Sequence, residues 1–301
     1  MMNKECLETT KSQKLSRMIG NTPMIKISDK IYAKAEIFNP TGSIKDRPAS
    51  YILNHAVMSG QLKEGDTIVE ATSGNMGISF AWLAAERGYK CKIVMPSNMS
   101  EERKQMLRLY GAELIEVGEG DFDGAINLRD KMAEENGWFN CNQFNNPLNI
   151  KSHEEGTAEE IIDFFEGKYL EYVVTGTGTG GTLMGCKKKL DKKYPLIKMI
   201  AVEPAESPVM SGGEPGLHGI QGIGDGSKFL VDMNKVHKVM TVTTEDAKDR
   251  AIRLAKETGI FVGISAGSNI LAAERWVEEN KPNGYVVTFL CDRGERYLSC
   301  L

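Results

Sequence analysis

The stretch NPTGSIKDRP, residues 39–48, places Lys45 on a loop rich in glycine and proline. The loop lies between an apolar run with strand character and a segment with helical character. A lysine on such a loop is usually a solvated surface charge. A reactive lysine requires more, namely a pocket, an anion-binding loop and a polar partner for the group it holds. The rest of the chain therefore decides how Lys45 is interpreted.

The bulk composition is that of an ordinary globular protein. The chain has 301 residues, of which 41% are hydrophobic and 26% charged, with a formal net charge of −4. This length suffices for one large domain or two modest ones. A mildly acidic chain lacks the positive surface that binds nucleic acid, and no apolar run is long enough to span a bilayer. Nucleic-acid and membrane partners are therefore not expected.

The cysteines and histidines predict neither a metal site nor a disulfide framework. Six cysteines are widely separated without a CxxC pair, and four histidines are scattered. The N-terminal MMNKECLETTKSQKL has no apolar core and no cleavage-like site, so no secretory signal is expected. The simplest compartment for such a chain is the reducing cytoplasm.

Short apolar runs alternate with helical segments along the chain. The runs predicted as strands are DTIVEAT, KCKIVMP, AELIEV, LEYVVTG, KMIAVEP, VHKVMTV and GYVVTFLC. Between them, SEERKQMLRLYG is predicted to be a helix with Ser100 as its N-cap and Gly111 as its stop. The alternation predicts an α/β fold with parallel sheets and helices on both faces. About ten segments favour two such units, with a boundary at FNNPLN, residues 144–149.

The loop TSGNMG, residues 72–77, follows the first of these strands. It offers two hydroxyls, an amide and backbone N–H groups at the start of a helix. A carboxylate requires several such donors at once, so the loop suits carboxylate binding. A capped helix after a tight turn explains the same residues, and on this loop alone that explanation is favoured.

The loop TGTGTGGT, residues 175–182, favours an anion more strongly. Its glycines allow close backbone approach, and the following helix N-terminus attracts negative charge. No Gly-Lys-Ser/Thr follows, so it is not a Walker loop, and no acidic residue lies about twenty residues later to bind a ribose. The loop therefore predicts a monophosphate site. A third loop, GISAGS at residues 263–268, contains Ser265, which by itself is most simply an N-cap.

Taken together, these loops resemble the pyridoxal-phosphate enzymes of the cysteine synthase and cystathionine β-synthase family, fold type II. The resemblance covers nearly the whole chain in the family's order, through IGNTPMIKI, FNPTGSIKDR, EATSGNMG, NQFNNPLN, HEEGTAEEI, GTGTGGT, IQGIG and GISAGS. It implies two doubly wound α/β domains with pyridoxal 5'-phosphate (PLP) in the cleft. Residues 39–148 would form a smaller domain that closes over the substrate. Residues 1–38 and 149–301 would form the larger, phosphate-binding domain, and the protein would be a homodimer.

The resemblance also implies roles for individual residues. Lys45 would carry the cofactor as a Schiff base, Asn75 would contact its ring hydroxyl, and Ser265 would face its pyridine nitrogen. The cofactor phosphate would be bound by Gly178, Thr179, Gly180, Gly181 and Thr182. The amino-acid substrate would be bound by Thr72, Ser73, Asn75, Met76, Gln143 and Gly222. A serine opposite the ring nitrogen leaves the ring a weaker electron sink than an aspartate does, which favours β-replacement over transamination.

One segment departs from the family pattern. After GIG the family is commonly apolar, whereas this chain reads DGSKFLVDMN, with Asp225 and Asp232. Drift on a surface loop explains both acids. Alternatively one of them is a base that activates water, and Asp232 is preferred because it ends the apolar run FLV and is expected to be partly buried with a raised pKa.

The favoured reaction converts L-cysteine and water to L-serine and hydrogen sulfide. A second cysteine as nucleophile would give lanthionine. The first alternative is cysteine synthesis from O-acetylserine and sulfide. An alternative of another class is a PLP-binding scaffold with weak activity.

Overall fold

A computed structural model describes residues 14–72 and 74–301 of the chain. Its strands lie in two sheets, one of six strands in the order β1-β2-β10-β7-β8-β9 and one of four in the order β5-β4-β3-β6. The strands are β1 (Met24–Lys26), β2 (Ile31–Lys34), β3 (Thr67–Ala71), β4 (Lys90–Pro96), β5 (Glu113–Val117), β6 (Phe139–Asn140), β7 (Leu170–Gly176), β8 (Lys198–Pro204), β9 (Lys238–Val242) and β10 (Tyr285–Phe289).

Helices connect most of these strands. They are α1 (Asp46–Met58), α2 (Asn75–Arg87), α3 (Glu101–Leu109), α4 (Phe122–Asn136), α5 (Pro147–Ser152), α6 (Ala158–Phe164), α7 (Gly181–Lys193), α8 (Thr244–Thr258) and α9 (Ile264–Asn280). A π-helical turn, His153–Thr157, joins α5 to α6, and short 3₁₀ turns include Met233–Lys235 and Gly294–Tyr297.

The predicted α/β class with parallel-type sheets is confirmed, with one antiparallel pair at the edge. Strand β2 pairs in parallel with β10, so that Lys34 lies opposite Phe289. Strand β1 instead pairs antiparallel with β2, because only Ile27 to Lys30 separate the two strands. A connection this short forms a hairpin and cannot make the long crossover that parallel strands require.

Helices cover both faces of the large sheet, because neighbouring side chains of a strand point to opposite faces. Tyr172 and Val174 of β7 pack in one apolar cluster with Trp276 of α9. Val173, between them, packs in another cluster with Leu183 of α7. All the strands of the small sheet fall within residues 67–140. The closing motion and the exact domain bounds stay predictions.

The predicted cap at Ser100 is confirmed in its position but not in its hydrogen bond, and Ser265 is not a cap. Ser100 occupies the N-cap position of α3 but makes no capping hydrogen bond; its hydroxyl donates instead to the carbonyl of Arg296 at 3.1 Å. Gly263 is the N-cap of α9, so Ser265 lies inside the first helical turn. Both serines therefore have side chains that are free for contacts with distant parts of the chain.

Candidate active site

Lys45 lies at the start of α1, and its side chain lines a cavity between the two sheets. The glycine–threonine loop after β7, the first turn of α2 and the first turn of α9 line the same cavity. Loops after strands and helix N-termini thus converge here, where α/β proteins bind their ligands. The sequence-predicted residues Asn75, Gly178 and Ser265 are therefore neighbours, although long stretches of chain separate them.

Lys45 differs in its partners from Lys34, a buried lysine of β2. Among the described residues, none forms a hydrogen bond or ion pair with its Nζ, and the side chain is partly buried. Lys34, by contrast, is fully buried and pairs with Glu160 at 2.6 Å. An amine without a protein partner in a partly enclosed site is available for covalent chemistry.

The loop between β7 and α7 forms an anion-binding cradle. Its residues Gly178 to Thr182 line the cavity directly before the N-terminus of α7, where unsatisfied N–H groups attract negative charge. Gly178 has to be glycine, because a Cβ there would lie 2.6 Å from the carbonyl oxygen of Gly222. The hydroxyl of Thr179 accepts a hydrogen bond of 3.0 Å from Asn149, which leaves its own proton free to donate.

A buried histidine supports the far end of this cradle. The hydroxyl of Thr182 lies 3.3 Å from Nε2 of His153, whose Nδ1 lies 2.8 Å from the hydroxyl of Thr157. Burial holds the pKa of His153 well below its usual range, and the positive charges of Arg47 and Lys45 lower it further. The imidazole is therefore neutral at physiological pH and acts as a fixed hydrogen-bonding group.

A network near the C-terminus fixes the side-chain amide of Asn75. Its Nδ2 donates to the carboxylate of Asp292 at 2.5 Å, and its Oδ1 accepts from Arg296 at 2.6 Å. The hydroxyl of Tyr297 also donates to Asp292. Asp292, Arg296 and Tyr297 are all buried. Sequence reasoning missed these three residues, because their relation to Asn75 exists only after strand β10 returns the chain to the cleft.

The residues expected to bind the substrate line a second small cavity beside Lys45. It contains Thr72, Asn75, Met76, Gln143 and Gly222. Ser73 lies outside the described residues.

Gln143 in this cavity is held in place on both sides. Its side chain donates to the carbonyl of Ala71 at 2.9 Å, and its backbone N–H donates to buried Glu70 at 3.0 Å.

Arg103 of α3 connects the loop before α2 to the part of the chain that carries the large sheet, here called the large-sheet unit. Its side chain lies against Gly74, where a Cβ would approach Arg103 Cδ to 2.4 Å. Its guanidinium donates to Gln221 and to the hydroxyl of Tyr297. Gln221 and Tyr297 both belong to the large-sheet unit, so Arg103 spans the cleft next to the loop before α2.

The structure separates the two aspartates of the departing segment, and the roles expected of them as bases stay predictions. Asp232 caps the turn Met233–Lys235, with a side chain 42% exposed and paired with Lys235 at 3.4 Å. Asp225 instead lines the substrate cavity with Lys45. Burial raises the pKa of Asp225, although the charges of His218, Lys45 and Arg103 oppose this. Phe229, three residues before Asp232, has a positive φ of 42°.

The fold and the site define a class of protein: an α/β enzyme with an unpaired lysine and a monophosphate cradle in one cleft. The sequence profile of the pyridoxal-phosphate-dependent enzymes matches residues 15–292. A cysteine synthase of Staphylococcus aureus is 43% identical over 296 residues, which is 95% of each chain.

Solved structures agree with this match. The crystal structure of an O-ureido-L-serine synthase is 40% identical with a TM-score of 0.90, covering 96% of this chain and 94% of that one. A hydrogen sulfide-producing enzyme of Fusobacterium nucleatum is 38% identical with a TM-score of 0.90, covering 95% and 99%. The chain therefore belongs to the family of pyridoxal-phosphate-dependent enzymes that includes the cysteine synthases. No helix among the described residues is both long and apolar enough to cross a membrane.

The residues present fit the family's cofactor. The cradle Gly178–Thr182 offers backbone N–H groups and two hydroxyls to a phosphate, and Lys45 offers an unpaired amine to an aldehyde. Ser265 is buried in the same cavity, and no described residue hydrogen bonds to its hydroxyl. A single polar group of this kind suits a ring nitrogen that stays neutral.

Proposed function

We propose that this protein catalyses β-replacement on L-cysteine, in which hydrogen sulfide leaves and water adds to give L-serine. The observation that carries the proposal is Asp225, a carboxylate in the same small cavity as Lys45 and the substrate loop. This residue replaces Asp232, which the sequence favoured, as the proposed base.

When bound, PLP supplies an electron sink that acidifies the substrate Cα–H and allows the β-substituent to leave. The residues of the chain supply the rest. Lys45 Nζ takes the Cα proton and later returns it, because it lies free at the cavity wall. The substrate carboxylate is oriented by Thr72, by Gln143 and by backbone N–H groups of the loop that ends at Met76. Closure of the small-sheet unit excludes bulk water from the cleft.

Asp225 is proposed to hold and deprotonate the attacking water. Its Oδ2 lies 3.7 Å from the point where a Cβ of Gly178 would stand, beside the cradle. No described residue forms a hydrogen bond or ion pair with its carboxylate, so its oxygens are free to accept from water. Burial raises the pKa of its carboxyl group, and a carboxylate with a higher pKa is a stronger base.

The choice of direction rests on the nucleophile. Hydrosulfide is largely ionised near neutral pH and needs no base, whereas water is a poor nucleophile and does. A carboxylate beside Lys45 therefore favours water. The hydrogen sulfide-producing relative supports this direction, and the Staphylococcus aureus cysteine synthase supports the alternative of cysteine synthesis. The complete cofactor cradle argues against a scaffold of weak activity.

The test is to supply the purified holoenzyme with L-cysteine and quantify sulfide and serine. Asp225→Asn should lower serine formation by about 10²- to 10⁴-fold, the usual contribution of a general base. Asp232→Asn is the matched control, since its side chain lies on the exposed turn, and it should behave as the parent. Cysteine formation from O-acetylserine and sulfide should persist in both variants.

Two outcomes contradict the proposal. If the parent releases no sulfide from cysteine but makes cysteine from O-acetylserine, the physiological reaction is cysteine synthesis. If Asp225→Asn makes serine at the parent rate, Asp225 is not the base.

We also infer, from the family resemblance alone, that the protein is a cytoplasmic homodimer. Light scattering of the purified protein tests whether it is a dimer.

A further inference from the structure

Gln143, in the wall of the substrate cavity, lies beyond the regular pairing of the small sheet. Strand β6 is two residues long and pairs with β3 only through Phe139 and Asn140. The chain then turns at Asn142, which has a positive φ of 49°, a value that few residues other than glycine adopt. The sheet ladder therefore does not hold Gln143, and its position depends on contacts made by other groups.

Buried Glu70, on β3, supplies these contacts. Its Oε2 accepts a hydrogen bond of 3.0 Å from the backbone N–H of Gln143. Its Oε1 accepts from the backbone N–H of Ala71 at 2.8 Å and from Nη1 of Arg129 at 3.2 Å. The carbonyl of Ala71 in turn accepts from the side-chain amide of Gln143 at 2.9 Å. The carboxylate of Glu70 thus fixes Gln143 directly through its backbone and indirectly through Ala71.

The charge of Glu70 is compensated inside the protein. Glu70 is 1% exposed and Arg129, on α4, is fully buried. The other side of Arg129 pairs with Asp130 at 2.7 Å. The thiols of Cys91 on β4 and Cys141 after β6 also face Glu70, but burial raises the pKa of Cys91 to about 12 and that of Cys141 well above its usual range, so both are neutral. Removing Arg129 would leave a buried charge without its ionic partner, which is costly.

The protonation state of Glu70 changes within the physiological pH range. Burial raises the pKa of Glu70 to about 7, although the charge of Arg129 and the hydrogen bonds from Gln143 and Ala71 oppose this. An ionised carboxylate accepts strongly from the N–H donors around it. A protonated one directs its hydroxyl proton at a shell of donors, so it holds the N–H of Gln143 less firmly. The contact that fixes Gln143 is therefore complete above a pH of about 7 and weakens as the pH falls through this value.

We propose that the Glu70–Arg129 pair positions Gln143 and thereby sets how tightly the substrate carboxylate is bound. The proposal rests on the carboxylate site of the proposed function, to which Gln143 belongs. Glu70 is not among the described residues that line the substrate cavity, so it acts through Gln143 and not on the substrate itself. Asp225, which does line the cavity, affects the pH dependence with the opposite sign, because its ionisation at higher pH repels a carboxylate.

The experiment measures the binding of L-alanine and of ethylamine to the holoenzyme, from the change in visible absorption. L-alanine carries a carboxylate but no leaving group, and ethylamine carries neither. Both are ammonium ions over the pH range used, so the ratio of their Kd values isolates the contribution of the carboxylate. Between about pH 8 and about pH 6 the preference for L-alanine should fall by up to about tenfold, because the ionised fraction of Glu70 falls by about that factor.

Glu70→Gln has nearly the size of the parent side chain but only one acceptor oxygen, so it cannot hold all the donors around it. At about pH 8 it should raise the Kd for L-alanine and the KM for L-cysteine about tenfold and abolish the pH step, while kcat and the Kd for ethylamine stay unchanged. Glu134→Gln, at an exposed residue of the same helix as Arg129, is the matched control and should behave as the parent.

Two variants of Arg129 test the pair without changing Glu70. Arg129→Met removes the positive charge that opposes the effect of burial, so the pH step should move to higher pH. Arg129→Lys keeps the charge, so the step should stay near its position in the parent. A role in folding alone would not move the step in this way, and the parent's own pH dependence tests the proposal even where a variant does not fold.

The outcomes separate this proposal from the proposed function. A preference for L-alanine that stays constant or rises as the pH falls would overturn the positioning role, and so would a Glu70→Gln variant that weakens L-alanine and ethylamine equally; β-replacement would stand in both cases. If the parent neither releases sulfide from cysteine nor makes cysteine from O-acetylserine, yet shows the pH step for L-alanine, β-replacement fails and the role of Glu70 stands.

Discussion

The side-chain amide of Asn75 donates a hydrogen bond of 2.5 Å to the carboxylate of Asp292, a residue 217 positions later in the chain. Arg296 donates to the other end of the same amide, so both its oxygen and its nitrogen are oriented. A buried amide with both ends engaged has one orientation. Asn75 therefore presents a fixed face to the cavity that Lys45 lines, and the C-terminal segment sets that face.

Changing Asp292 should disturb this orientation. Asp292→Asn replaces a charge-assisted hydrogen bond with a neutral one in a buried site, which should lower the free energy of unfolding by about 1–3 kcal/mol. It should also shift the visible absorption band of the bound cofactor, because the orientation of Asn75 is held less firmly. Tyr297→Phe is the control, since it keeps the Asn75–Asp292 contact. A loss of stability with an unchanged band would mean that Asp292 is structural only.

Lys45→Ala should abolish covalent attachment of the cofactor. The purified parent should absorb in the visible region and retain the cofactor after borohydride reduction, with the modification on Lys45. The variant should lack both properties, because Lys45 is the one lysine among the described residues that line this cavity. Peptide mapping of the reduced protein checks this directly, and a modification found on another lysine would contradict the assignment.

Ser265→Asp should change the chemistry without moving the site. The side chain is 4% exposed and lines the cofactor cavity, so a carboxylate there would place a negative charge beside the ring nitrogen. We expect a shifted absorption band and a larger share of side reactions relative to β-replacement. Ser265→Ala, which adds no charge, should keep the parent's product ratio. Identical bands and product ratios in the Asp variant would count against this position for Ser265.

Glu160 should make the fold sensitive to acid. It accepts hydrogen bonds from Arg47 and Lys34 and from the backbone of Asn21 and Thr22. Partial burial opposes its ionisation, but the hydrogen bonds and charges of Arg47 and Lys34 lower its pKa to about 2. A depressed pKa means that stability is full above the ordinary value of 4.5 and is lost as the pH falls from there toward 2.

The size of this effect is up to about 3 kcal/mol, since one pKa unit corresponds to about 1.4 kcal/mol. Urea unfolding of the parent at a series of pH values between 6 and about 3 should show the decline. Glu160→Gln should be less stable at neutral pH and show a shallower decline. Parallel curves for the two proteins would contradict the role given to Glu160.

The sequence by itself determined the α/β class, most of the strands and helices, and the loops that carry Lys45, Asn75 and Gly178. These features depend on local rules, because apolar periodicity sets the elements and glycines set the loops that follow strands. The positions of the functional loops then follow, since strand ends of a parallel sheet meet at one edge.

Only the tertiary structure decided which acid reaches the cleft and what orients Asn75. Asp225 and Asp232 are seven residues apart with similar local surroundings, and their burial depends on the packing of the two units around the segment. The contacts of Asp292, Arg296 and Arg103 join parts of the chain that are far apart in sequence. Burial and long-range pairing arise from the folded arrangement of the whole chain, so no local pattern contains them.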